Sequence, residues 1–116
     1  MMKSGMIFKQ GEIVIIPFPF TDLSSIKQRP VLILSKENYN NKTEDIIICG
    51  ITSNPKAIEF SVIIDNNNLK EGQIPIKSKV KVDKIFTLNQ QLVIKKVATL
   101  DKETLNQVLT KLNYLF

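Results

Sequence analysis

No histidine occurs anywhere in the 116 residues. That removes the commonest general base, the commonest zinc ligand, and the Ser-His-Asp and Cys-His arrangements of nucleophilic catalysis. Cysteine is nearly absent too. Cys49 stands alone, so no internal disulfide can form, and a reducing compartment is the natural setting. Tryptophan is missing and aromatics make up 7%. No pair of aromatics stands out on adjacent strands, as a base-stacking sheet of the RRM type requires. No apolar run approaches the ~20 residues of a membrane span. The densest, residues 46–51, is far shorter, and residues 1–9 lack the apolar centre of a signal peptide. A cytoplasmic protein is expected. The carboxylates are scattered, without the cluster a divalent cation needs. Neither a metal nor any other cofactor is expected.

What is present is an ordinary globular composition, 43% hydrophobic and 23% charged. The length predicts one domain over residues 1–116. Sixteen basic residues against 11 acidic ones leave a net charge of +5, which favours polyanionic partners. The excess lies in residues 61–116, at +4, against +1 in residues 1–60.

Most of the chain reads as short strands. Residues 12–17 are β-branched and apolar, opened by Gly11 and stopped by Pro17. Residues 18–28 are rich in Ser, Thr and Asp and are bracketed by prolines, the signature of a loop. Residues 31–35 form a near-continuous apolar run, as in a strand buried on both faces. Residues 37–44, with three Asn, read as a turn or exposed loop. Further strands are expected over 45–52, 60–65, 76–83 and 92–97. In 76–83 the alternation is clearest: Ser78, Val80 and Val82 share one face, and Lys77, Lys79 and Lys81 the other. The period then changes. Asp101 is a good helix N-cap, and Leu105, Val108, Leu109, Leu112 and Leu115 or Phe116 make a helical stripe. The pattern predicts a small, mainly β, strongly bent antiparallel sheet or barrel, with a C-terminal helix over one face or opening.

Three features could carry chemistry. Arg29 is the only arginine in the chain and enters the apolar strand beside Pro30. Base rates favour a solvated charge at a strand end; the other reading is a planar fork aimed at phosphate. Thr52 and Ser53 end the third strand, where small hydroxyls either start a turn or meet an oxyanion. Lys77, Lys79 and Lys81, with Lys84 nearby, form a basic strip that suits polyanion contact or the protection of an edge strand. Cys49, inside an apolar strand, reads as a small buried hydrophobe.

The segments GEIVIIPFPFTD (11–22), RPVLILS (29–35), ICGITS (48–53) and SKVKVDKI (78–85), taken in order, resemble the MazF/PemK family of toxin endoribonucleases. The likeness covers nearly the whole chain. It implies an SH3-like barrel with a C-terminal helix, working as a homodimer. It also implies metal-independent cleavage of single-stranded RNA, with a cognate antitoxin protein as inhibitor. The family's catalytic arginine and threonine fall on Arg29 and Thr52. RNA contacts are then expected from Phe18, Lys27 and Gln28 on one side of that pair, Ser53 and Asn54 on the other, and Lys79, Lys81 and Lys84 on the late strand. Glu12 stands where many members have Asp. Thr21-Asp22 follows a subgroup, so no sequence preference carries over.

Such chemistry needs no histidine. RNA supplies its own nucleophile, the 2′-hydroxyl, and charge develops on the phosphoryl oxygens during attack. An arginine with a threonine hydroxyl and backbone amides would stabilise it. A guanidinium keeps its proton far above neutral pH and is a poor base. The expected roles for Arg29 are therefore electrostatic and acidic, and the base stays open. Two other readings fit the fold: an SH3-like module that binds RNA without cutting it, and a CcdB-like toxin that acts on DNA gyrase.

Overall fold

The structure, a computed structural model, describes residues 7–19, 26–54 and 56–116. It contains seven strands and two helices: β1 (Glu12–Pro19), β2 (Ile26–Ile33), α1 (Glu37–Lys42), β3 (Asp45–Thr52), β4 (Ser61–Ile64), β5 (Leu69–Gly72), β6 (Ser78–Asn89), β7 (Lys95–Leu100) and α2 (Lys102–Asn113). The strands form one sheet in the order β4-β6-β3-β2-β1-β7-β5, with every pairing antiparallel. It curls strongly, and with α2 laid against it this is the mainly β architecture that the sequence pattern predicts. Among the described residues no helix is long and apolar enough to cross a membrane.

Both faces of the sheet are apolar, which explains the unbroken hydrophobic run of β2. One face carries Ile13, Leu32, Cys49, Ile51, Val62, Val80 and Val82, and Val108 of α2 packs into it with Leu105, Leu112 and Leu115 alongside. Asp101 caps α2 as expected, its Oδ1 accepting the Thr104 N–H at 2.7 Å. Phe116, a candidate for the end of the stripe, is instead 93% exposed. The other face carries Phe8, Val14, Ile16, Val31, Ile33, Ile46 and Ile48.

Several expectations are corrected. The segment 37–44 is not simply a loop, because Glu37–Lys42 is helical with Asn40 buried. Ser35 Oγ donates to Asn40 Oδ1 at 2.5 Å, and Asn40 Nδ2 donates to the Phe8 carbonyl at 2.9 Å. A buried amide so bonded fixes the turn of helix, whereas an Asn-rich composition reads as a turn. The last strand starts three residues late, because Asn89 accepts the Gln91 N–H at 2.8 Å and holds a 3-10 turn over Gln90–Leu92. β5 has no counterpart in the sequence pattern: its four residues are mostly exposed and carry no alternation.

The predicted loop 18–28 shrinks at both ends. β1 runs on to Pro19 and β2 starts at Ile26, with Phe18 opposite Lys27; the remainder of that loop lies outside the described residues. Pro17 does not stop β1, and Pro30 sits within β2. β1 pairs with β7 no further than Ile15, and β2 pairs with β3 only from Val31 onward. Beyond those points each strand has a single neighbour, and each proline turns its missing donor to the unpaired side.

Gly72 allows the β5 turn. Its φ is +77°, and an added Cβ would collide with the Val97 carbonyl oxygen and lie 2.6 Å from Ala98 Cα. Gly72→Ala is therefore expected to lower stability by more than about 1 kcal/mol in chemical denaturation. Gly50→Ala, whose nearest new neighbour is Lys84 Cβ at 3.9 Å, is expected to stay within about 0.5 kcal/mol of the parent.

Candidate active site

The β2–β3 register places Val31 opposite Gly50, Leu32 opposite Cys49 and Ile33 opposite Ile48. Continued two residues toward the start of β2, the same register sets Arg29 opposite Thr52. Both side chains line a cleft of ≈ 570 Å³. Its floor is Pro30, Val31, Gly50 and Ile51, and Phe18 of β1 stands beside Arg29. Arg29 shares the side of β2 that bears Val31 and Ile33, so the cleft continues the second apolar face. Gly50 keeps the floor open, because no side chain rises between Val31 and Lys81.

The opposite wall comes from a break in the β3–β6 ladder. Gly50 pairs with Lys81, but the preceding Cys49 pairs with Ile85. One step on β3 thus spans four on β6, which leaves Val82, Asp83 and Lys84 unmatched. A bulge bends its strand and re-aims side chains. Here Lys81, Asp83, Lys84, Ile85 and Phe86 all line the cleft.

Charge in the cleft is mixed but mainly positive: Arg29, Lys81 and Lys84 against Asp83. Such a site attracts a polyanion while offering a carboxylate as proton acceptor. The Thr52 hydroxyl oxygen accepts the Asn54 N–H at 3.4 Å. Two exposed aromatics, Phe18 at 41% and Phe86 at 37%, flank the charged groups. Among the described residues no three His, Cys, Asp or Glu side chains gather to hold a metal ion.

Of the residues singled out from sequence, Arg29, Thr52, Phe18, Lys81 and Lys84 meet here. Lys27 and Gln28 are exposed on the neighbouring hairpin, and Ser53 and Asn54 on the loop after β3; none of the four lines the cleft. The exposed three-lysine face is not present. Lys77 precedes β6, and Lys79 is only 6% exposed, its Nζ donating to the Lys56 carbonyl at 2.8 Å. Nor is this an edge strand, because β4 and β3 flank it. Sequence reasoning missed Asp83 and Phe86. Asp83 lies two residues past Lys81, and period-two alternation was a usable signal for it. Phe86 reaches the cleft through the bulge, which the sequence does not advertise.

Comparison with known proteins identifies the family. The profile of the PemK-like, MazF-like toxins of type II toxin–antitoxin systems matches residues 9–116. The chain belongs to this family. No curated protein matches it by sequence. Among solved structures, MazF in a MazE–MazF complex from Deinococcus radiodurans superposes with a TM-score of 0.78 at 23% identity, over 95% of this chain and 96% of that one. A mycobacterial endoribonuclease solved with its cognate antitoxin gives 0.72 at 22%, over 91% of each chain. The Mycobacterium tuberculosis toxin MazF-mt6 gives 0.68 at 19%, over 87% and 93%. At these identities the likeness establishes the MazF fold.

Cys49 lies directly behind the cleft, fully buried. Burial, and then the negative charge of Asp83, pushes its thiol up to about 12. The thiolate is the reactive form, so native protein at pH 8 is expected to resist alkylation that goes to completion after denaturation. The unfolded thiol releases its proton above about 8.5 while the folded one keeps it. This group's contribution to stability therefore falls as pH rises above that value.

Proposed function

We propose that this toxin-family protein is an endoribonuclease that cuts single-stranded RNA by attack of the RNA's own 2′-hydroxyl. The observation that carries the reading is the meeting of Arg29 and Thr52 in one cleft rimmed by Lys81 and Lys84. In the reaction the 2′-oxygen forms a bond to phosphorus, and the bond from phosphorus to the 5′-oxygen breaks. The products are a 2′,3′-cyclic phosphate and a 5′-hydroxyl. Arg29 offsets the charge developing on the phosphoryl oxygens and assists protonation of the leaving oxygen. The Thr52 hydroxyl donates to the same oxygens. Asp83, the one carboxylate among the described residues that line the cleft, takes the 2′-hydroxyl proton, the role that a chain without histidine leaves vacant. Lys81 and Lys84 hold the backbone, and Phe18 and Phe86 offer faces for stacked bases.

The chain acts, in this reading, as one domain over residues 1–116 in the cytoplasm, as a homodimer held in check by a cognate antitoxin. The antitoxin-bound relatives from Deinococcus radiodurans and a mycobacterial species support the last point. A binding-only module would have no use for Arg29 and Thr52 together, and a gyrase-directed toxin would have no use for a cleft that holds both.

Cleavage of long RNA is expected to persist in excess EDTA. Activity abolished by chelation and restored by Mg²⁺ would refute the mechanism. Arg29→Ala and Thr52→Ala should each slow single-turnover cleavage by about 10²-fold or more. Arg29→Lys should recover only part of the rate, since a point charge lacks the planar fork. If both alanine variants cut at the parental rate, the assignment fails. Asp83→Asn should slow single-turnover cleavage by about 10²-fold or more.

The basic rim can be tested separately. Replacing both Lys81 and Lys84 with Gln should weaken binding to uncleavable single-stranded DNA. The slope of log affinity against log salt should fall by up to about 1.4, or about 0.7 for each phosphate that is no longer neutralised. An unchanged slope removes the rim from the binding site.

A further inference from the structure

Lys79 lies on β6 between two strands, opposite Thr52 on β3 and Ile63 on β4. It is 6% exposed, and its ammonium donates to the Lys56 carbonyl at 2.8 Å. Among the described residues no carboxylate forms an ion pair with this buried cation. Burying a cation on a lone carbonyl is unfavourable, and a methionine would fill the same space without that penalty. The bond it makes is therefore the feature to explain.

Lys56 belongs to the loop that follows Thr52. Its N–H donates to Asn54 Oδ1 at 3.1 Å, and the Asn54 N–H donates to Thr52 Oγ1 at 3.4 Å. A continuous relay thus runs from the Lys79 ammonium through Lys56 and Asn54 to the Thr52 hydroxyl. It begins and ends on residues that face each other across the β3–β6 ladder. Farther along, the loop is also tied by the Val82 N–H to the Phe60 carbonyl at 3.0 Å and by the Lys111 ammonium to the Glu59 carbonyl at 3.3 Å; nearer Thr52 it relies on side chain-to-backbone turns, which open easily when they are exposed.

We propose that Lys79 is a positioning residue: it fixes the loop after β3 and, through Lys56 and Asn54, sets the Thr52 hydroxyl for the reaction. It does not touch RNA. The inference rests on the cleavage reading of the cleft, and it replaces the direct RNA contact that the alternation of β6 suggested for this lysine. It also assigns Asn54 a place in the relay.

The test compares Lys79→Met, which keeps the stem and removes the donor, with Lys79→Arg, which keeps a donor. In Lys79→Met the Asn54 and Lys56 amides should exchange with solvent at least about tenfold faster than in the parent; unchanged exchange overturns the tether whatever the RNA assays show. The single-turnover rate at saturating RNA should fall about tenfold. Affinity for single-stranded DNA and its salt slope should stay at parental values, and Lys79→Arg should restore most of the rate. Weaker affinity with a flattened salt slope would show that Lys79 meets phosphate, and would overturn the proposal. So would a parental cleavage rate in Lys79→Met. Should Lys79→Met fail to fold, Asn54→Ala breaks the same relay from the exposed side. It should lower the rate without moving the salt slope, and a parental rate there overturns the relay. A parent protein that cuts no RNA would sink the cleavage reading, while the exchange measurement still decides the tether.

Discussion

The ladder between β3 and β6 breaks between Cys49 and Gly50, and the site depends on that break. If the register ran straight, Lys81 and Asp83 would share one face of a regular strand while Lys84 and Phe86 took the other. Three unmatched residues on β6 instead bend the strand, and Lys81, Asp83, Lys84 and Phe86 turn toward one opening. The break is tolerated because the sheet is secured on either side of it. Beyond the bulge, Cys49 to Asp45 pair in order with Ile85 to Asn89, and before it Gly50 to Thr52 pair with Lys81 to Lys79. Val82 then gives its N–H to the Phe60 carbonyl at 3.0 Å, so the bulge does not leave that group orphaned.

The cleft consequently has two walls of different character. On the β3–β6 side, Thr52 lies in a strand with a paired neighbour, and the loop beyond it is bonded back to the sheet through Lys79 and to α2 through the Lys111 ammonium, 3.3 Å from the Glu59 carbonyl. On the β1–β2 side, Phe18 and Arg29 stand where each strand has a single neighbour. Pro17 and Pro30 secure this asymmetry, since neither can donate to an added strand. The Thr52 hydroxyl, which the proposed reaction needs accurately placed, sits on the better-tied wall. The long arginine, whose reach tolerates small movements, sits on the other.

Much of the fold was legible because burial writes itself into alternation. Ser78, Val80 and Val82 are all buried, as the period of β6 requires, and Val108 sits at the centre of the predicted helical stripe. Arg29 and Thr52 were legible for a different reason: each stands at a strand end, in a segment that resembles the family. What could not be read is non-local. The strand read from the alternation ends at Asp83, and only the pairing with β3 reveals that β6 runs on through a bulge to Asn89. The turn of helix at Glu37–Lys42 depends on Asn40 finding Ser35 and Phe8, and no local propensity encodes that meeting.

Lys79 shows where alternation misleads. Period two correctly puts it on the face opposite Val80, and lysine on such a face normally means solvent. The inference fails because the loop after β3 returns over this part of β6 and covers it. A chain-level charge of +5 therefore overstates the basic surface available to a polyanion. The charge that matters is local: the lone arginine and two lysines, gathered with one carboxylate by a register fixed in β2 and broken in β6. A reaction whose nucleophile arrives with the substrate asks the protein for a fixed electrostatic frame and a proton acceptor. In the proposed reaction the bulge on β6 and the register of β2 bring Asp83 and Arg29 into one cleft, although they stand 54 positions apart in the sequence.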